Sequence, residues 1–266
     1  MNRESIETCL AGKTAWAGSE IHYYDITDST NVRAWQETGQ STGNGALFVA
    51  DAQLGGKGRR GRSWESPGGR NLYFSLVLKE GLSADRAPMV TLVMALSVAK
   101  VLKDRTGCAA GIKWPNDIVA GGRKVCGILT EMKLGNAGTE FVVIGVGINV
   151  LAGDFEGDLA DRATSLEAVC GKAIDRAGLL ADILAAFEAF YGDFTGAGDL
   201  SPLKEAYEEF LINKDREVRV LDPKGEYTGT AQGITDSGEL LVIKADGTIE
   251  TVYAGEVSVR GIYGYV

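Results

Sequence analysis

The chain has 266 residues, 45% hydrophobic and 24% charged, which is enough apolar material for one large core or two unequal ones. Its net charge of −9 opposes non-specific affinity for nucleic acid, which comes mainly from Lys and Arg neutralising phosphates, so DNA is not an expected partner. The opening MNRESIETCL lacks the basic end and apolar run of a signal peptide, and Thr91, Ser97 and Lys100 interrupt the longest apolar stretch, residues 89–102, which argues against export and membrane spanning.

In chain order, an apolar run at residues 21–26 reads as a strand, followed by Asp28-Ser29-Thr30-Asn31. Ser and Asp are good N-caps for the helix expected to run to Glu37, so the tetrapeptide is ambiguous: capping alone could account for it. A strand at residues 46–50 leads into Gln53 and a glycine-punctuated loop ending at Trp64. Residues 57–62 place four positive charges in six positions against an acidic background, which points to an anionic ligand. Residues 56–61 match G-x-G-x-x-G, but a loop and then a strand at 72–78 follow where a helix N-terminus is required, so the dinucleotide fingerprint is rejected. Gly12-Lys13-Thr14 fails as a P-loop because Glu7 stands where the earlier glycine belongs. A basic glycine loop can instead wrap a phosphate with backbone N–H groups and bidentate arginines, here Arg59, Arg60 and Arg62. The plainer reading is a solvated charged turn. Gln53 and Trp64 weaken it by adding an amide and a stacking surface at either end.

Residues 86–103 are apolar on most faces and stop near Gly107, as a buried helix would. In Lys113-Trp114-Pro115-Asn116-Asp117 the proline extends its neighbour and sets Asn116 and Asp117 at a strand end, where an Asp could position Mg²⁺ or a nucleotide hydroxyl, or cap a turn. Lys124, ordinary by itself, precedes a strand at 125–132. In the strand at 141–150, Gly145 and Gly147 leave one face bare and Asn149 stands near the end; a flat ligand, a β-bulge or tight helix packing would each explain the bare face. Leu180, Ile183, Leu184, Phe187, Phe190 and Tyr191 mark one face of a later helix. Cys9, Cys108, Cys126 and Cys170 have no metal-binding spacing, and with His22 as the single histidine they read as reduced structural thiols in a cytoplasm rather than a zinc site.

The pattern changes near residue 212, where short runs at 217–221, 227–234, 240–244 and 249–254 are separated by turn signals at 223–225, 236–238 and 246–247. They describe a β-barrel of roughly 50 residues, small enough to lean on its neighbour. The expected architecture is α+β, with a larger domain over residues 1–211 and the barrel over 212–266.

Taken together, these clusters resemble biotin protein ligases in order and spacing. The match comprises Asp28 to Asn31, Gln53 with Arg59-Arg60-Gly61-Arg62-Ser63-Trp64, Asn71-Leu72-Tyr73, Lys113 to Asp117, Lys124 to Leu129, Gly145-Val146-Gly147-Ile148-Asn149 and the Gly238-Glu239-Leu240 turn. One departure is Gly56-Lys57-Gly58, where the family usually has Gly-Arg-Gly; Lys57 should serve if the backbone makes the contact there. The resemblance implies a mixed-sheet catalytic domain with a C-terminal SH3-like barrel. It implies an enzyme that makes biotinyl-5′-AMP from biotin and ATP, then transfers biotin to a lysine of a biotin carboxyl carrier protein or domain of acetyl-CoA carboxylase or a related carboxylase.

By the same resemblance Ser29, Thr30, Asn31, Gln53 and the loop Gly56, Lys57 and Gly58 hold the ureido ring of biotin, Gly127 lines the pocket, and Lys124 and Arg59 face the carboxylate as catalytic residues. Arg59, Arg62, Trp64, Asn116, Asp117 and Asn149 would contact ATP, with Asp117 the candidate for its Mg²⁺. Some family members carry an N-terminal DNA-binding domain; here the first motif begins at Asp28, so a monofunctional ligase is expected. Lipoate ligases share the adenylate chemistry and a non-catalytic biotin sensor would share the pocket, but the loop from Gln53 to Trp64 favours biotin over lipoate. Sheet edges could pair across a homodimer.

Overall fold

The computed structural model describes residues 1–79, 82–135, 138–153, 155–222, 225–254 and 258–261. The turn signal at Pro223 and Lys224 lies outside the described residues. Among those described, seven strands form one mixed sheet: β1 (Ile21–Thr27), β2 (Leu47–Gln53), β3 (Leu72–Leu78), β4 (Ala110–Lys113), β5 (Asp117–Ala120), β6 (Arg123–Gly135) and β7 (Gly138–Ile148). Their order is β1-β2-β3-β7-β6-β5-β4, with β1 and β2 parallel and every other pair antiparallel. The short hairpin of β4 and β5 turns at a cis Trp114–Pro115 bond, so Asp117 opens a strand, as the proline implied.

The helices are α1 (Arg3–Leu10), α2 (Thr30–Glu37), α3 (Met89–Thr106), α4 (Leu166–Cys170), α5 (Arg176–Ala197) and α6 (Lys204–Phe210). α3 is buried nearly all round and ends where Gly107 takes the left-handed conformation at φ 70°, so its carbonyls can be capped without a Cβ clash. α3 and α5 pack together on one face of the sheet, with Leu72, Phe74, Leu76 and Leu78 of β3 and Val142, Ile144, Val146 and Ile148 of β7 in the same core. The intervening residues point the other way, where Val77, Phe141 and Val143 meet Ala34 of α2. That second face carries the site.

The C-terminal strands β8 (Glu217–Leu221), β9 (Tyr227–Ile234), β10 (Leu240–Ile243), β11 (Ile249–Val252) and β12 (Ser258–Gly261) form an antiparallel sheet ordered β11-β10-β9-β8-β12. Its apolar residues Val220, Ala231, Ile234 and Leu240 join the same core as α3. The Trp114 indole N–H donates to the Gly238 carbonyl at 3.0 Å, and Glu208 of α6 accepts the Ile234 N–H at 3.1 Å. At Gly238 the φ is +89°, so this turn favours glycine, and an added Cβ would also press on the end of Leu92 at 2.9 Å. The small sheet leans on the larger one, as its size predicts.

The cysteine reading needs correction. Cys108 and Cys170 are joined by a disulfide, with Cα atoms 5.9 Å apart, which ties the residue after α3's cap to the end of α4. A separation of 62 residues gives no hint that two helix ends meet. Cys126 is fully buried and burial pushes its thiol well above the usual range, so it is structural as expected, and Cys9 is half-buried. Among the described residues no helix is long and apolar enough to cross a membrane.

Candidate active site

Strand parity builds the floor of a cleft. Gly127 pairs with Gly147, which pairs with Tyr73; Leu129 pairs with Gly145, which pairs with Ser75. The register is unbroken through these rows, so no bulge accounts for the glycines. Close approach does. A Cβ on Gly145 would lie 2.0 Å from Asn31 Oδ1, and Cβ atoms on Gly147 and Gly127 would lie 2.6 Å and 2.9 Å from the Trp64 indole.

One wall comes from the start of α2. Ser29, Thr30 and Asn31 are buried. Ser29 occupies the N-cap position, yet its hydroxyl makes no bond to the helix, so capping does not explain that residue. Instead Gln53 Oε1 accepts the Thr30 N–H at 2.8 Å, while Gln53 Nε2 donates to Ser66 Oγ at 2.9 Å. Asn31 Nδ2 donates to Glu131 at 2.8 Å, and Ser75 Oγ lies 2.6 Å from Asn31 Oδ1 and 2.8 Å from Thr30 Oγ1. Replacing Ser29 by Ala should therefore leave the melting temperature within the effect of about 0.5 kcal/mol typical of neutral sites, instead of the ~1 kcal/mol of a lost cap. Differential scanning calorimetry checks this; a cap-sized drop would show that the hydroxyl holds the helix after all.

The glycine loop forms a second wall, bringing Lys57, Gly58, Arg59 and Trp64 to the cleft. Gly58 N–H donates to the Arg62 carbonyl at 2.7 Å and Trp64 N–H to that of Gly56 at 2.9 Å, closing a hairpin with a 3-10 turn at Arg59–Gly61. No helix follows it, which agrees with rejecting the dinucleotide fingerprint. Gly56 is required by contact, since a Cβ there would meet the Trp64 carbonyl at 2.4 Å. Arg59 turns inward, donating to Asn116 Oδ1 at 2.8 Å and to the Ala254 carbonyl. Burial pulls its guanidinium below the usual range, and the Asp117 carboxylate opposes that shift.

The charged end of the cleft holds Lys124, whose Nζ lies 2.6 Å from Asp117 Oδ1 and 5.2 Å from the Trp64 ring centre. Asn116 Nδ2 donates to Asp117 at 3.1 Å and to the Ile128 carbonyl at 3.1 Å. Ser29, Thr30, Asn31, Gln53, Lys57, Gly58, Arg59, Trp64, Asn116, Lys124 and Gly127 all line one cleft. A hydrogen-bonding end thus faces a cationic end across a floor of glycines on which Asn31 and Trp64 rest, an arrangement suited to a neutral polar ring bearing a remote anion.

Three candidates lie outside that lining besides Gly56 and Asp117. Arg62 is exposed on the loop, and Asn149 is buried beyond β7, donating to the Thr164 carbonyl at 3.2 Å. Arg60 is exposed at φ 59° on the loop tip. Sequence reasoning passed over Ser75, Ser66 and Glu131. The available signal was a lone serine in the apolar run 72–78 and a lone acid in 125–132.

The profile of the biotin/lipoate A/B protein ligase family matches residues 23–149, and that of the biotin protein ligase C terminal domain matches residues 215–260. The chain is 36% identical over 247 residues to the bifunctional ligase/repressor BirA of Bacillus subtilis, covering 92% of this chain and 75% of that protein. It is 32% identical over 246 residues to the biotin--[acetyl-CoA-carboxylase] ligase of Paracoccus denitrificans, covering 88% and 98%. The structure of a biotin protein ligase from Aquifex aeolicus in complex with biotin and ATP superposes with a TM-score of 0.80 at 31% identity, over 91% of this chain and 99% of that one.

Proposed function

The chain belongs to the biotin protein ligase family, and on that premise we propose which of its residues carry the two half-reactions. The enzyme is an ATP-dependent ligase that attaches biotin to a carrier protein. The observation that carries the assignment of roles is the bipolar cleft. Ser29, Thr30, Asn31 and Gln53 hold the ureido ring, the glycines of β6 and β7 make room for Asn31 and the Trp64 indole beside it, and Lys124 and Arg59 meet the carboxylate. Asn116, Asp117 and the loop from Arg59 to Trp64 attend the nucleotide, Arg62 reaching it from its exposed place on that loop and Asn149 only by giving up its bond to the Thr164 carbonyl. The division at residues 211/212 belongs to this reading; the two profile matches, 23–149 and 215–260, fall on either side of it.

In the first step a carboxylate oxygen of biotin attacks the α-phosphorus of ATP, the bond to the β-phosphate oxygen breaks, and pyrophosphate leaves. Two anions must be held in line, and Lys124 and Arg59 neutralise charge where it grows. Mg²⁺ would enter on the phosphates of ATP as part of the substrate. Asp117, 2.6 Å from Lys124 at the charged end of the cleft, is the carboxylate that would meet it. In the second step the neutral amine of the acceptor lysine attacks the acyl carbon, AMP leaves, and the amine loses its proton; no enzyme nucleophile is needed.

The mixed anhydride is destroyed by water, so the loop should exclude solvent while the carrier is awaited. Replacing Arg59 by Gly removes its bonds to Asn116 and Ala254, and should speed adenylate release at least about tenfold, as for a lost charge-assisted bond. Released adenylate labels bystander lysines. Unchanged labelling of a non-acceptor protein would remove the loop from this role.

The function is tested by intact-mass spectrometry of a carboxyl carrier domain of acetyl-CoA carboxylase incubated with the protein, MgATP and either biotin or lipoate. Addition of one biotinyl group, dependent on ATP and the acceptor lysine, is expected. Lipoyl addition would move the activity to the sister reaction, and tight biotin binding with no addition would make the protein a sensor.

A further inference from the structure

We propose that Glu131, which lies outside the lining of the cleft, fixes the hydrogen-bond polarity of Thr30, so that the pocket accepts a ring N–H there and rejects a ring oxygen. The inference rests on the reading that Ser29, Thr30 and Asn31 hold the biotin ring.

A carboxylate only accepts hydrogen bonds. Asn31 Nδ2 lies 2.8 Å from Glu131 Oε2 and 3.3 Å from the Leu129 carbonyl, two acceptors, so the amide nitrogen faces them and Oδ1 faces Ser75. Ser75 Oγ is 2.6 Å from that Oδ1, which also only accepts, so the single hydroxyl proton of Ser75 goes to Asn31. Ser75 Oγ is also 2.8 Å from Thr30 Oγ1, and with the Ser75 proton committed, Thr30 must donate. Thr30 has one hydroxyl proton, and its oxygen is left with lone pairs alone to offer a ligand. The other destination for that proton, Gln53 Oε1 at 3.2 Å, is longer and already takes the Thr30 N–H at 2.8 Å; it too would leave the oxygen an acceptor.

Ser75, Asn31 and Thr30 are all buried, so water does not relieve a mismatch. A cyclic urea carries two N–H donors flanking its carbonyl, and an acceptor suits one of them. A cyclic carbamate puts an oxygen lone pair there, against the lone pairs of Thr30. Glu131 is a positioning residue: removing its carboxylate leaves the Asn31 amide held only by the longer bond to the Leu129 carbonyl at 3.3 Å, so the amide can turn over, Ser75 can donate to Thr30, and the Thr30 proton is then shared between Gln53 Oε1 at 3.2 Å and the ligand.

The test measures Kd by titration calorimetry on the full chain for biotin and for the two analogues in which one or the other ring N–H is replaced by oxygen. Wild type should bind at least one carbamate roughly 100-fold more weakly than biotin, because a site built to accept a hydrogen bond rejects a partner lacking it. Glu131→Leu should shrink that ratio about tenfold or more, and Glu131→Gln should keep it, since the Gln Oε1 accepts the same bond. Ser75→Ala cuts the relay in the middle by deleting a single oxygen and should shrink the ratio too, which carries the test if Glu131→Leu does not fold. An equal loss of affinity for all three ligands, with the ratio unchanged in Glu131→Leu and Ser75→Ala, would make the network merely structural and overturn the relay. A wild-type chain that binds no biotin would instead overturn the ring-pocket reading beneath it.

Discussion

Replacing Gly145 by Ala should weaken biotin binding at least about 100-fold, through a methyl group that the pocket has no room to take. Its Cβ would stand 2.0 Å from Asn31 Oδ1 and 2.7 Å from Asn31 Cγ. Asn31 is not free to retreat. Its amide is bonded to Glu131 at 2.8 Å and approached by Ser75 at 2.6 Å, and the residue sits in the first turn of α2. Relief requires breaking buried hydrogen bonds, at ~1–3 kcal/mol each, or pushing α2 off the sheet, an overpacking cost of about 1–3 kcal/mol. Either outcome dismantles the ring end of the cleft. Gly192→Ala on α5, where nothing lies within 4 Å of an added Cβ, serves as the control and should bind normally. A Gly145→Ala protein with a biotin Kd within threefold of wild type, by titration calorimetry, would show that this glycine does not border the ring.

Lys124→Ala should slow adenylate formation by about 10²–10³, the effect of removing one charge-stabilising donor from a transition state. The ammonium is paired with Asp117 at 2.6 Å, and in the proposed reaction the incoming carboxylate would take it over. Lys124→Arg should rescue little, because a planar fork does not reproduce a point charge on a flexible stem. The specificity of the effect lies in the second half-reaction: supplied with preformed biotinyl-5′-AMP, the Ala variant should transfer biotin within a few-fold of wild type, since the carboxylate charge is already gone. Single-turnover measurement of pyrophosphate release and of transfer separates the two steps. Near-normal pyrophosphate release would remove Lys124 from the chemistry.

Much of this was legible in the chain, for reasons that differ from element to element. β3 was read at its observed bounds, Leu72–Leu78, because it is apolar on both faces and bounded by turn residues. α3 was read for its length and its Gly107 stop. β4 and β5 were not, since four residues on either side of a proline carry too little pattern to separate a hairpin from a loop. At the site, Ser29 to Asn31, Gln53, Arg59, Asn116, Lys124 and Gly127 were named and do converge on one cleft. Ser75 and Glu131 were missed because their part depends on register: only when Ser75 is known to face Gly145, and Gly145 to face Leu129, do a serine and an acid on separate strands belong to one network. Asn149 illustrates the converse, a residue close to the glycines in sequence whose side chain turns away to Thr164.

The bond from Arg59 to the Ala254 carbonyl joins the glycine loop to the turn that follows β11 of the C-terminal sheet. Such a link works in both directions. Whatever factor a ligand adds to the docking of the small sheet through Arg59, docking must add to the affinity for that ligand, because coupling free energy is reciprocal. The C-terminal strands, which contribute no residue to the cleft floor, thereby act as ballast for the loop: a substitution that loosens them would be felt as a leak of the intermediate some distance away.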